Sequence, residues 1–325
     1  MLVTIGVLTE GLTLARMGEV RGVYGWAQVP GTCGELAQGL IGDRFLHITC
    51  PIDAWVTASA SLTAGSGRIT GLDDRPKARR AVSRMLDEWN VTERFDVCVT
   101  LTNPLPLGKG LASSTADISA CCFAVAQALG RDLSVNTLAR IAIAVEPSDG
   151  LFYPGIAVFD HRKGSWGTTV GQPPVPPLFV LAYDLGGEVN TVEFNRRHDI
   201  IEANRQKESL VRQAFAQIIK GIRSGNPASI GAGATLSARA NQEILHKEAL
   251  EELIGGVSSL GTVGVNIAHS GTALGLLLPY KHRSRIESVI KWTESRFPKW
   301  TPLGSYQLVG GGPRYHEQSG EGWAI

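Results

Sequence analysis

What this sequence lacks narrows it before any motif is read. Its five cysteines form no CxxC pair and no framework spacing, which predicts reduced thiols in a cytoplasmic protein rather than a disulfide scaffold. Neither charge sign dominates: 31 Lys and Arg stand against 30 Asp and Glu. Nucleic acid and anionic membrane surfaces therefore meet no broad basic field. No apolar run reaches the ~18 residues that a spanning helix needs. The N-terminal MLVTIGVLTEGLTLARMG has no basic start and carries Glu10, so a signal peptide is not expected. The seven histidines make no HxxxH or HExxH spacing, so no zinc site is expected either. Polar low-complexity tracts are missing too, and an apolar content of 43% over 325 residues can fill a sizeable core.

What is present reads as two α+β domains with largely antiparallel sheets. YGWAQVPG and RFLHITCPIDAWVTASASL carry β-branched and aromatic residues between turn signals. Lys77 to Trp89 has helical character, and the basic stretch Arg75 to Arg84 reads as its solvated face. In RFDVCVTLT, Phe95, Val97, Val99 and Leu101 alternate with polar residues, the pattern of a half-buried strand. Ile118, Cys121, Cys122, Val125 and Leu129 then repeat at helical spacing, and Gly130 is placed to end that helix. Ser134 caps a further helix. GQPPVPP, Gly171 to Pro177, is the candidate boundary between domains at 1–172 and 173–325. Beyond it the periodicity predicts a helix over Arg196 to Arg223, another over Ala238 to Leu253, a strand pair within VGVNIAHSGTALGLLLP, and a last helix ending near Phe297.

The stretch PLPLGKGLASSTADISA, Pro104 to Ala120, carries the chemistry. It is not a P-loop, because position 103 holds Asn where GxxxxGK[ST] needs glycine. It nearly meets GxGxxG with Gly108, Gly110 and Ser113, but a dinucleotide turn runs directly from a buried strand into its helix, and Asn103-Pro104-Leu105-Pro106 intervenes. Two readings remain level on local chemistry. One is an ordinary Ser-capped helix after a Gly/Pro turn. The other is a phosphate cradle, with open backbone N–H groups and the helix dipole facing anionic oxygens, Lys109 adding charge and a serine hydroxyl ligating Mg²⁺.

PLGKGLASSTA, Pro106 to Ala116, closely resembles the PxxxGLxSSxA phosphate-binding motif of the GHMP kinases. VPGTCGELAQG, Val29 to Gly39, is similar to that family's N-terminal substrate-side motif. GVNIAHSGTALGLLL, Gly264 to Leu278, is similar to its C-terminal glycine-rich strand–turn–strand, although His269-Ser270-Gly271-Thr272-Ala273 replaces the usual AGGGG. Within the family, PGTCGEL and VEPSDG look most like the L-threonine kinases of cobalamin biosynthesis. The resemblance implies an α+β, two-domain GHMP kinase fold: an N-terminal ribosomal protein S5 domain 2-like half and a C-terminal ferredoxin-like α/β sandwich. It implies ATP and Mg²⁺ as cofactors and phosphorylation of the L-threonine hydroxyl, with no nucleic-acid or membrane partner.

The resemblance also assigns residues. Pro106, Leu107, Gly108, Lys109, Gly110, Leu111, Ala112, Ser113 and Ser114 hold the ATP phosphates. Ser114 and Glu146 ligate Mg²⁺. Asp149 accepts the hydroxyl proton, unless Ser148 and Asp149 only form an Asx-type turn. Thr32, Cys33, Gly34 and Glu35 face the substrate, with Glu35 suited to its ammonium; a covalent role for Cys33 is not required. Tyr183 to Asn195 is either a second substrate segment or a plain strand–turn–helix connection. Another small alcohol such as homoserine, or a non-catalytic ligand sensor with the same fold, stays open as an alternative.

Overall fold

Two long antiparallel strands organise the fold: β1 (Val23–Ile41) and β2 (Arg44–Ala64) pair along nearly their whole length. The computed structural model describes residues 23–187, 199–316 and 323–324. The β1–β2 register slips at Pro30/Gly31, Thr32/Glu35 and Glu35/Ala37. Such bulges bend a strand and re-aim its side chains, and these three bracket the TCGEL segment.

Around this pair, β4 (Phe95–Thr102) joins β2, with Val97 and Val99 buried and Cys98 and Thr100 exposed as the alternation predicts. A two-residue β3 (Ile69–Thr70) lies at that edge, while β5 (Ile156–Asp160) and β6 (Gly167–Gly171) extend from the other part of β2. On the far side of β1 come β8 (Gly264–Ile267), β9 (Ala273–Pro279), β7 (Leu178–Asp184) and β10 (Thr301–Gln307), in that order. The short β11 (Arg314–His316) and β12 (Trp323–Ala324) complete the sheet. The architecture is α+β, as expected.

The helices are α1 (Pro76–Glu88), α2 (Ser113–Ala128), α3 (Val135–Val145), α4 (Asp199–Gln206), α5 (Glu208–Arg223), α6 (Pro227–Ala240), α7 (Leu250–Ser258) and α8 (Ile286–Arg296). Ser134 caps α3 by accepting from Thr137 N–H. Helix α2 packs across β1 and β2, and it is buried on nearly every side, Cys121 and Cys122 included. Its approach is close: a Cβ on Gly25 of β1 would lie 2.1 Å from the Ala124 carbonyl oxygen.

Two expectations change, and one helix was not expected. The helix expected over Arg196 to Arg223 is two, broken at Lys207, whose buried ammonium donates to Asn241 Oδ1 at 2.8 Å; residues 196–198 lie outside the described residues. The helix expected over Ala238 to Leu253 is instead the end of α6, an irregular turn and the start of α7, because Asn241 caps α6. Helix α6 itself, with Asn226 accepting from Ala228 and Ser229 N–H, was obscured by its glycines, which carry little hydrophobic periodicity.

Gly25→Val should cost about 1–3 kcal/mol by overpacking the α2–β1 contact. Urea unfolding measures the loss; an unchanged midpoint would show that α2 can move away freely.

Candidate active site

Backbone contacts clamp the Pro106–Ser114 loop from two directions. Gly110 O accepts from Gly34 N–H at 2.9 Å and Leu111 O from Thr32 N–H at 3.1 Å, which ties the loop to bulged β1. Lys109 O accepts from Ala273 N–H at 2.8 Å, which ties it to the start of β9. Gly110 sits at φ +91, and a Cβ there would lie 2.4 Å from Ala268 Cβ. A Cβ on Gly271 would come within 2.7 Å of the Gly110 backbone. Small residues are thus required because two segments of backbone touch.

The helix that follows is not Ser-capped. Its N-cap is Ala112, in the left-handed region at φ 55, and no side chain caps it. Asn103 instead turns its amide toward Ser113 Oγ (2.9 Å) and Asp117 Oδ1 (2.6 Å). The N-terminal turn of α2 therefore faces a cavity of about 430 Å³ that the loop, Glu146, Asp149 and Ala268–Ser270 help to line.

Acidic side chains converge on that cavity. Ser114 Oγ hydrogen-bonds Glu146 Oε1, and Lys77 Nζ lies 2.5 Å from Glu146 Oε2. Asp149 N–H donates to Thr115 Oγ1 at 3.3 Å, which fixes the EPSDG turn against α2. Ser148, rather than Asp149, makes the local side-chain bond, to Glu146 O. Burial raises the Asp149 carboxyl above its usual range, opposed by His269. Lys109 reaches away to Asp184 Oδ2 at 2.8 Å; burial would raise Asp184, yet the hydrogen bond from Lys109 leaves it lowered.

Behind the acids, three histidines from distant segments meet. His47 and His161 stack at 3.7 Å between ring centroids, and His269 stands 4.3 Å from His47 and 4.7 Å from His161. Glu35 accepts from His269 N–H at 2.8 Å and meets its Nδ1 at 3.2 Å. Burial, with His269 beside it, pushes His47 down to about 3, and burial lowers His161 strongly as well.

Residues 76–152 match the model of the GHMP kinases N-terminal domain. The chain is 34% identical over 270 residues to an L-threonine kinase of Citrobacter freundii, covering 82% of this chain and 90% of the relative. It is 31% identical over 291 residues to an L-threonine kinase of Salmonella typhimurium, covering 88% and 94%. The chain belongs to the GHMP kinase family. The family fold is matched by a homoserine kinase structure from Cytophaga hutchinsonii, with TM-score 0.69 at 16% identity over 93% of this chain and 100% of that one.

Within this GHMP kinase, the residues singled out by sequence fall into three groups. Glu35, Ser114, Glu146 and Asp149 come together on the cavity with Pro106, Leu107, Gly108, Gly110, Leu111, Ala112 and Ser113. Lys109 turns toward Asp184. Thr32, Cys33 and Gly34 do not line the cavity: they are buried beneath the loop, and Thr32 and Gly34 hold it by backbone. Burial, then Glu35, pushes the Cys33 thiol up to about 12, so it stays protonated and non-nucleophilic. Tyr183 to Gly187 are described, and the rest of the segment to Asn195 lies outside the described residues.

Sequence reasoning missed Arg75 and Lys77, read as part of a solvated face. Both line the cavity, Arg75 Nε standing 3.3 Å from Asp117 Oδ2 and Lys77 bound to Glu146. It also missed His47 and His161, because residues so far apart in the chain leave no spacing signature.

A histidine held neutral in the folded state binds fewer protons than in the unfolded chain, so its contribution falls as pH drops below about 6.5. The stability difference between wild type and His47→Asn should shrink from pH 7 to pH 5 by up to about 1.4 kcal/mol per unit. Urea unfolding across that range tests it; a pH-independent difference would mean that His47 titrates normally.

Proposed function

We propose that this protein transfers the γ-phosphoryl group of ATP to the side-chain hydroxyl of L-threonine, giving L-threonine O-3-phosphate for cobalamin biosynthesis. One observation carries the reading: an uncapped helix N-terminus, a Ser–Glu oxygen pair and the half-buried Asp149 carboxylate share one cavity. Halves 1–172 and 173–325 divide the work in this reading, the first carrying the phosphate loop and the second bracing it through Ala268–Ala273.

The donor set fits its partners. N–H groups at the start of α2, with the helix dipole, suit phosphate oxygens. Ser114 Oγ and Glu146 Oε1 offer the hard oxygen ligands that Mg²⁺ prefers, and Lys77 balances the Glu146 charge. Bound there, MgATP supplies the phosphoryl group and neutralises its developing charge. What is left to the chain itself is to orient the hydroxyl and take its proton. Asp149 is suited to that role, since burial raises its basicity and its turn is anchored to Thr115 on the phosphate-binding helix. As the threonine oxygen bonds to phosphorus, the bond to the leaving ADP oxygen breaks and the hydroxyl proton passes to the Asp149 carboxylate. The two relatives named for L-threonine support this acceptor.

Purified protein with MgATP should release ADP in the presence of L-threonine more readily than with L-serine, L-homoserine or mevalonate. Preference for either of the last two would sink the threonine assignment. Asp149→Asn should lower kcat by ~10²–10⁴-fold, the usual contribution of a general base, while nucleotide binding by fluorescence titration is retained. Near-normal turnover would remove Asp149 from the chemistry.

A further inference from the structure

Glu35, His47 and Asp149 reach one point from three separate segments: β1, β2 and the turn after α3. His47 Nδ1 lies 3.5 Å from Asp149 Oδ1 and 3.8 Å from Glu35 Oε1. That nitrogen is buried and makes no hydrogen bond. The three atoms all fall within 4.8 Å of one another, and the two carboxylates line the cavity with His47 behind them. An unsatisfied buried polar atom costs about 1–3 kcal/mol, a cost removed when a donor enters from outside. A neutral imidazole with its proton on Nε2 presents Nδ1 as an acceptor, and burial keeps His47 neutral. The stacked His161 ring holds its plane. Three acceptors, two of them anionic, converge with no donor among them.

We infer that Glu35, His47 and Asp149 form the seat of the substrate's primary ammonium, and that this seat selects vicinal amino alcohols. The inference rests on Asp149 acting as proposed above. A primary ammonium offers three N–H donors to match three acceptors. A metal ion fits less well. Donors on four-coordinate zinc, at ~2.0–2.1 Å bonds, stand ~3.3 Å apart, closer than either separation measured from His47. His269 Nδ1 faces Glu35 Oε1 at 3.2 Å, and a proton on that nitrogen would close it to a metal. With Asp149 Oδ1 turned toward the ammonium, Oδ2 remains for the hydroxyl. Nitrogen and oxygen on adjacent carbons can reach both oxygens of one carboxylate, whereas the extra methylene of homoserine carries the hydroxyl away.

The test compares L-threonine, L-serine, L-homoserine and 3-hydroxybutyrate, the last being threonine's carbon chain without the ammonium, in steady-state assays with MgATP. Wild type should use the two vicinal amino alcohols and leave 3-hydroxybutyrate unphosphorylated. Glu35→Gln and His47→Leu should each raise KM for L-threonine by ~10-fold or more, the value of one hydrogen bond to a charged group. KM for ATP should stay within about twofold, which also shows that each variant is folded. Threonine turnover with unchanged KM in both variants, or equal use of 3-hydroxybutyrate, overturns the seat and leaves the kinase reading standing. Turnover of L-serine but not L-threonine supports the seat and overturns the threonine assignment. No turnover of any compound overturns both. One equivalent of zinc in the wild type that His47→Leu removes assigns the cluster to a metal and overturns the ammonium seat.

Discussion

The site depends on a backbone-to-backbone contact between Gly110 and Gly271. There the loop before α2 meets the turn between β8 and β9, closer than any side chain allows. Hydrogen bonds from Gly34, Thr32 and Ala273 hold the loop on both flanks. A loop fixed this way presents its N–H groups without rearrangement, and preorganised donors are more effective in phosphoryl transfer than ones that must be gathered. The same clamp joins segments far apart in the chain, so the shape of the cavity is a property of the whole chain.

Charge is arranged around the clamp by opposition. Glu146 is balanced by Lys77, Asp117 by Arg75, and Asp184 by Lys109. Asp117, held up to about 6 mainly by burial, braces the loop through Asn103. Two acids of the cavity, Glu35 and Asp149, have no lysine or arginine ion partner among the described residues. Their neighbours are histidines, and burial keeps His47 and His161 from protonating. The inner end of the cavity is therefore acceptor-rich and the outer end is framed by cations, a polarity suited to a substrate with a cationic head and an anionic co-substrate.

Much of this was legible in the chain. The start of β1, β2, β4, α1, α2 and the Ser134 cap follow from periodicity and turn chemistry, and the family from three motifs in order. The second half was read less well. Helix α6 is rich in alanines, glycines and serines, so its buried face carries little hydrophobic contrast, and the break at Lys207, whose ammonium bonds Asn241, is encoded by no local pattern.

The sequence by itself determined that a glycine-rich, sterically open loop precedes a helix, that Ser114, Glu146 and Asp149 are candidates for one site, and which family the pattern resembles. These are short-range matters of residue type and spacing. Only the tertiary structure decided that Ala112 rather than a serine occupies the N-cap, that Lys109 turns to Asp184, and that Thr32 and Gly34 support the loop from beneath. It alone brought His47, His161 and His269 into contact. Sheet pairing sets those placements through bulges and long-range register, and neither leaves a mark in any one stretch of sequence.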